Sequence, residues 1–118
     1  MPRDRRGAYE DGLEAESFVE AWYRGEGWTV LARNWRGGGA ELDLIVQRDG
    51  AVRIVEVKAR EAGEDALEAV TPAKVARLRR GGEAWLQRHP DVEEIAFAVA
   101  VVTLQAGLWD LEVLDNAF

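Results

Sequence analysis

The rhythm of hydrophobic and polar positions changes along the chain, and each change marks an element. From about Tyr9 to Arg24 the apolar residues Leu13, Ala15, Phe18, Val19 and Trp22 recur at three- and four-residue steps, which predicts an amphipathic helix. Glu16 and Glu20, four apart, line a neighbouring stripe, and Gly25 and Gly27 end the helix. Residues 1–8 are charged and expected to be loose. Trp28 to Arg33 reads as a first strand, followed by a flexible, hinge-like loop from Asn34 to Gly39. Ala40–Val46 and Val52–Lys58 are β-branched, apolar runs around a tight turn at Arg48-Asp49-Gly50, the pattern of a β-hairpin. Glu61 to Val70, acidic and small, reads as a loop.

Thr71-Pro72 is a helix start, with Thr as N-cap and Pro at the first helical position. The helix carries Val75, Leu78, Trp85 and Leu86 inward, most of its arginines outward, and stops at Pro90. Gly81-Gly82 inside it cost roughly 1 kcal/mol each against alanine, so a close contact or a kink is expected there. Ile95 to Leu104 is nearly all apolar, which suits a strand covered on both faces. Ala106-Gly107 then turns into a last strand, Leu108 to Leu114. The order is αβββαββ: one α/β domain over residues 1–118, with a mixed sheet flanked by helices. Three sequential strands form a meander, and the helical crossover sets the fourth strand parallel to the third.

Charge inside the hairpin breaks this pattern. By alternation, Glu41 and Asp43 share one face of their strand, and Glu56 and Lys58 share one face of the next. Burying an unpaired carboxylate costs several kcal/mol, so three carboxylates and an ammonium in apolar strands need a common reason. A bound divalent cation beside a lysine is one; a buried ion-pair network with Lys58 neutralising a carboxylate is another.

Composition narrows the choice. The chain has no cysteine, which removes disulfides, thiolate zinc sites and cysteine nucleophiles. Its start lacks the apolar core of a signal peptide and its longest apolar run is too short to span a bilayer, so a cytoplasmic protein with no membrane partner is expected. The net charge of −7 argues against a simple nucleic-acid binder. Its distribution qualifies that: Tyr9 to Glu26 is acidic, whereas Lys74, Arg77, Arg79, Arg80 and Arg88 make the second helix basic. Two poles suit a metal site near one and phosphate near the other; they equally suit a salt-laced surface on a heat-resistant protein.

Hydrolysing a phosphodiester requires charge neutralisation at phosphorus, an activated water and help for the leaving oxygen. Carboxylates holding Mg²⁺ or Mn²⁺, with a lysine nearby, supply these. Asp43, then Glu56-x-Lys58 thirteen residues later on the adjacent strand, fits that minimal set. His89, at a helix end, reads as a surface residue; Trp35, beside the glycine loop, as packing or a platform for stacking a base; and Glu41 as facing outward or supporting the ligands rather than binding a metal.

At these residues the sequence resembles the PD-(D/E)xK nuclease superfamily, and more closely the YraN-like family of small bacterial proteins. Leu31-Ala32-Arg33-Asn34-Trp35 with Glu41-Leu42-Asp43-Leu44-Ile45, then Val55-Glu56-Val57-Lys58-Ala59-Arg60, then Ala69-Val70-Thr71-Pro72-Ala73-Lys74 carry the resemblance. It implies a restriction-endonuclease-like fold of the Holliday-junction-resolvase type and a metal-dependent endonuclease acting on DNA, structured or branched by analogy. Asp43 and Glu56 would then be metal ligands, Lys58 the transition-state cation and Glu16 an outer or bridging acid. Arg60, Lys74 and Arg77 would be nucleic-acid contacts, and a homodimer is implied. Ala15 and Ala40 stand where that family usually has glycine, and Phe97-Ala98-Val99 where many members carry an acid. A different class, a catalytically inactive module on the same fold that binds nucleic acid or a protein, is the alternative; it would depend on Arg77, Arg79 and Arg80 rather than Asp43.

Overall fold

The computed structural model describes residues 5–63 and 71–115, with side chains from Glu14 onward. Helix α1 (Arg5–Gly25) leads into strands β1 (Thr29–Gly37), β2 (Ala40–Arg48) and β3 (Ala51–Glu61), then helix α2 (Pro72–Gln87), and strands β4 (Ile95–Gln105) and β5 (Leu108–Asp115). The strands form one mixed sheet in sequential order, antiparallel throughout except for the parallel β3–β4 pair. The αβββαββ order and the parallel fourth strand are thus as the patterning implied. Helix α1 starts four residues before Tyr9, so residues 5–8 belong to it rather than to a loose leader. Most of the expected acidic loop (64–70) lies outside the described residues.

Two apolar layers sandwich the sheet. Ala15, Val19 and Tyr23 of α1 are buried against Leu44, Val46, Val55, Ala98, Ala100 and Val102. The buried stripe is therefore rotated from the expected one: Phe18 and Trp22 remain 39% and 38% exposed. Small Ala and Val side chains on the sheet let α1 settle with Tyr23 beneath it, and Phe18 packs sideways on Trp109 at 6.1 Å. On the other face Leu78 and Trp85 of α2 meet Leu42, Ile45, Val52 and Ile54. The glycine pair is a close contact, not a kink. A methyl at Gly81 would sit 3.0 Å from Leu42, and one at Gly82 would sit 2.8 Å from both Ile95 and Phe97. The glycines let the helix backbone approach the sheet, and that packing offsets their helical cost.

The expected loop from Asn34 to Gly39 is mostly strand. Trp35, Arg36 and Gly37 pair with Leu42, Glu41 and Ala40, which leaves Gly38-Gly39 as a two-residue turn with φ of 62° and 77°. Cross-strand hydrogen bonding overrides the flexibility that three glycines suggest. Asp49-Gly50 makes the same kind of turn between β2 and β3, with φ of 51° and 79°. His89 is half-buried rather than a plain surface residue; its ring stacks on Trp85 at 4.0 Å and its Nδ1 lies 2.8 Å from the Trp85 carbonyl.

Candidate active site

The site begins where the central hairpin stops pairing. The β2–β3 ladder runs from Arg48 opposite Ala51 to Leu44 opposite Val55 and ends there. Leu44 and Val46 face α1, whereas Leu42 lies in the α2 layer although it is two residues from Leu44. Strand alternation therefore slips at Asp43. On its other side the β1 ladder steps from Arg33–Leu44 to Trp35–Leu42, and Asn34 between them takes a left-handed φ of 50°. Freed from the ladder, Asp43 turns its Oδ2 to accept the Val57 backbone N–H at 2.8 Å. A carboxylate has taken the place a strand carbonyl would have held.

That hydrogen bond fixes Asp43 beside Glu56. The two line a cavity of about 540 Å³ together with Glu16 from α1, Gly39, Ala40 and Glu41, and with Lys74, Arg77 and Leu78 from α2. Burial pushes the Asp43 carboxyl up to about 7, Glu56 and Glu16 adding to the rise and the Val57 N–H opposing it. Glu16 is also raised, first by burial, against the pull of Arg33 and a hydrogen bond from Asn34. A hollow of similar size, about 530 Å³, lies by the β2–β3 turn, lined by Arg53, Asp91, Glu93 and Glu94 among others. Size does not separate the two; the half-buried carboxylates on the central strands do.

The cations are arranged differently from the simplest expectation. Lys74 Nζ lies 3.0 Å from Glu56 Oε1, with the two side chains 26% and 15% exposed. Lys58, half-buried on β3 opposite Val101 of β4, is not part of the cavity lining. Arg60 also lies outside it, its Nε donating to Thr103 Oγ1 at 2.9 Å. The structure thus brings together Glu16, Asp43, Glu56, Lys74 and Arg77, and sets Lys58 and Arg60 apart. Glu41 stands at the rim, exposed and paired with Arg36 at 3.4 Å. Trp35 packs in the α2 layer with the Arg88 guanidinium 5.4 Å from its ring centre.

Two residues without an assigned role shape the acidic wall. Arg33 reaches Glu20 at 3.2 Å and Glu16 at 3.7 Å, tying α1 to β1. Asn34 follows it, bent into the left-handed region that Asn tolerates better than most residues. Their adjacency to the apolar strand was the available signal.

The donor set can be tested for a metal. Among the described residues no three of Asp, Glu and His stand close enough together to hold an ion. Mg²⁺ needs fewer protein ligands, since it keeps several waters and is commonly held by one or two carboxylates plus substrate phosphate. Asp43 and Glu56 meet that requirement, and Glu16 Oε2 is buried with no hydrogen bond among the described residues beyond its ion pair to Arg33 at 3.7 Å.

An open five-stranded sheet with a carboxylate-lined cleft at the break of its central hairpin defines the class. Within it, a profile of the uncharacterised protein family UPF0102 matches residues 15–103, and the chain belongs to that family, the YraN family. It is 39% identical to a UPF0102 protein of Rhodopseudomonas palustris over 100 residues, 83% of this chain and 77% of that one. A UPF0102 protein of Bradyrhizobium is 40% identical over 92 residues, 78% of this chain and 65% of the relative. One from Dinoroseobacter shibae is 40% identical over 104 residues, 85% of this chain and 78% of the relative. No helix among the described residues is long and apolar enough to cross a membrane.

Proposed function

We propose that this protein is a divalent-cation-dependent endonuclease acting on DNA phosphodiesters, with branched or structured DNA as the substrate class. The observation that carries the reading is the pair Asp43 and Glu56, half-buried side by side in a cavity that Lys74 and Arg77 also line. Two acids crowded together raise one another's affinity for positive charge, and the two cations opposite suit a phosphate.

In this reading Asp43 and Glu56 hold Mg²⁺ or Mn²⁺. The ion, when bound, supplies Lewis-acid stabilisation of the phosphate and acidifies a water. The Val57 N–H orients Asp43, so the ligand is set by backbone rather than by a rotamer. Arg33 and Asn34 hold Glu16 at the edge of the acidic wall. Arg77 faces the phosphodiester, and Lys58 and Arg60 act on the approaching strand from beyond the cavity. Water adds to phosphorus, the bond to the leaving oxygen breaks, and that oxygen takes a proton.

A second reading has its own observation. The Lys74–Glu56 pair already neutralises one carboxylate, as it would in an inactive module that binds nucleic acid or a protein through the arginines of α2. One pair of measurements separates them. Mn²⁺ calorimetry on the wild type and Asp43→Asn should show binding that the variant loses. A panel of junctions, flaps and single strands should then be cut in Mg²⁺ or Mn²⁺ by the wild type, and at least about 10³-fold more slowly by Asp43→Ala. Cleavage undiminished in Asp43→Ala sinks the catalytic reading. DNA binding lost on charge reversal at Arg77, Arg79 and Arg80 but indifferent to Asp43 favours the module.

A further inference from the structure

Two carboxylates and one ammonium meet at the back of the cavity. Lys74 Nζ holds Glu56 Oε1 at 3.0 Å, while Asp43, next to Glu56, has a backbone N–H as its partner. One positive charge between two acids leaves the group short of cation. The ammonium is also the movable member. Asp43 is pinned by the Val57 N–H, and Glu56 lies opposite Val99 in the long β3–β4 ladder. Lys74 sits on the first turn of α2, its backbone N–H fixed on the Thr71 hydroxyl at 3.2 Å, with a flexible four-carbon stem beyond that anchor. Arg77 lines the same cavity one helical turn further on.

We propose that Lys74 is a removable counter-ion: it occupies Glu56 in the cation-free protein and competes with a divalent cation for that carboxylate. This rests on the reading of Asp43 and Glu56 as the cation site. Released from Glu56, Lys74 is left beside Arg77 on the wall that faces a phosphodiester. The same side chain thereby keeps the empty site from standing as two unopposed acids and joins the anion-binding wall once the site is charged. Cation binding and exposure of the Lys74 ammonium are then linked, and linkage works in both directions.

The test titrates Mn²⁺ by calorimetry into the wild type, Lys74→Gln, Lys74→Arg and Asp43→Asn, each first confirmed as folded by circular dichroism. Removing the competitor should make Lys74→Gln bind about tenfold tighter than the wild type, a usual size for coupling between two ligands. Lys74→Arg, which keeps the charge, should stay near wild type, and Asp43→Asn should lose binding. A second readout uses the wild type alone. Lys58 and Lys74 are its two lysines, so peptide mapping after acetic anhydride treatment can follow each. Mg²⁺ should speed acetylation of Lys74 while leaving that of Lys58 unchanged. Unchanged or weaker binding in Lys74→Gln, with binding still lost in Asp43→Asn, overturns the counter-ion role and leaves the cation site standing. Mn²⁺ binding with no change in Lys74 acetylation overturns it as well. Absence of binding in every protein, Lys74→Gln included, at millimolar Mn²⁺ overturns both.

Discussion

The two halves of the β2–β3 hairpin have opposite characters. Near the turn, residues 44–48 pair in register with 51–55, and Leu44, Ile45, Val46, Val52, Ile54 and Val55 are all buried. Away from the turn the pairing stops, Asp43 bonds to the Val57 N–H, and Glu41, Asp43 and Glu56 line a cavity with residues of both helices. Both halves come from one pair of strands. The difference teaches that a half-buried carboxylate such as Asp43 is accommodated by a local failure of strand pairing, which frees a backbone donor and makes room for a cleft. The paired half keeps the open half in place.

Predictions follow from breaking one half without the other. Ile45→Ala removes a fully buried side chain opposite Ile54, at the paired end. It should cost about 3 kcal/mol in urea unfolding, with Mn²⁺ binding by the folded protein retained. Asp43→Asn, at the open end, should act with the opposite sign. Asp43 keeps its proton up to about pH 7 when folded, against an ordinary value of 3.8 for an aspartate. Between those values the folded state binds more protons than the unfolded chain, so stability falls as pH rises through the window and the penalty is complete above it. The variant should therefore be more stable than wild type by on the order of 2 kcal/mol at pH 8, and equal to it near pH 3. Identical urea midpoints at pH 8 would remove burial strain from the site.

Two smaller effects sharpen the contrast through α2. Gly82→Ala gains helix propensity but drives a methyl against Ile95, Phe97 and Ile54. A net loss of about 1.5 kcal/mol is expected by thermal unfolding, since overpacking outweighs propensity. Thr71→Ala removes the cap that accepts the Lys74 N–H. It should cost about 1 kcal/mol and raise amide exchange in the first turn of α2, where Lys74 and Arg77 sit.

Much of this molecule is readable from patterning because its strands follow one another in space as they do in sequence. The hairpin, the Thr71 cap, the nearly all-apolar β4 and the parallel crossover each leave a local trace. Carboxylates inside apolar strands announce a site for the same reason: their neighbours say they are buried. What patterning does not carry is register and reach. Alternation assigns Glu41 and Asp43 to one face, but the break at Asp43 depends on β3 pairing ending at Val55 and on Asn34 dropping out of the β1 ladder between Arg33 and Trp35. The Arg33–Glu20 pair spans from β1 to α1, and Lys74–Glu56 joins α2 to β3, so both appear only once the helices are placed. Trp22 and Tyr23 adjoin, and only the shape of the sheet decides which is buried.

The sequential strand order also bears on how the chain comes to be folded. With β1 to β5 adjacent in sequence and space, each hairpin can close while the ribosome is still adding the next segment, and its loops are short. Asp43 and Glu56 are brought together by one hairpin, whereas Lys74 reaches Glu56 only once α2 docks on the sheet. Until α2 docks, the sheet carries its acids without their lysine, so the docking that completes the α2 layer also tempers the site. Pulsed hydrogen exchange during refolding should find the β2–β3 amides near the turn protected before those of α2.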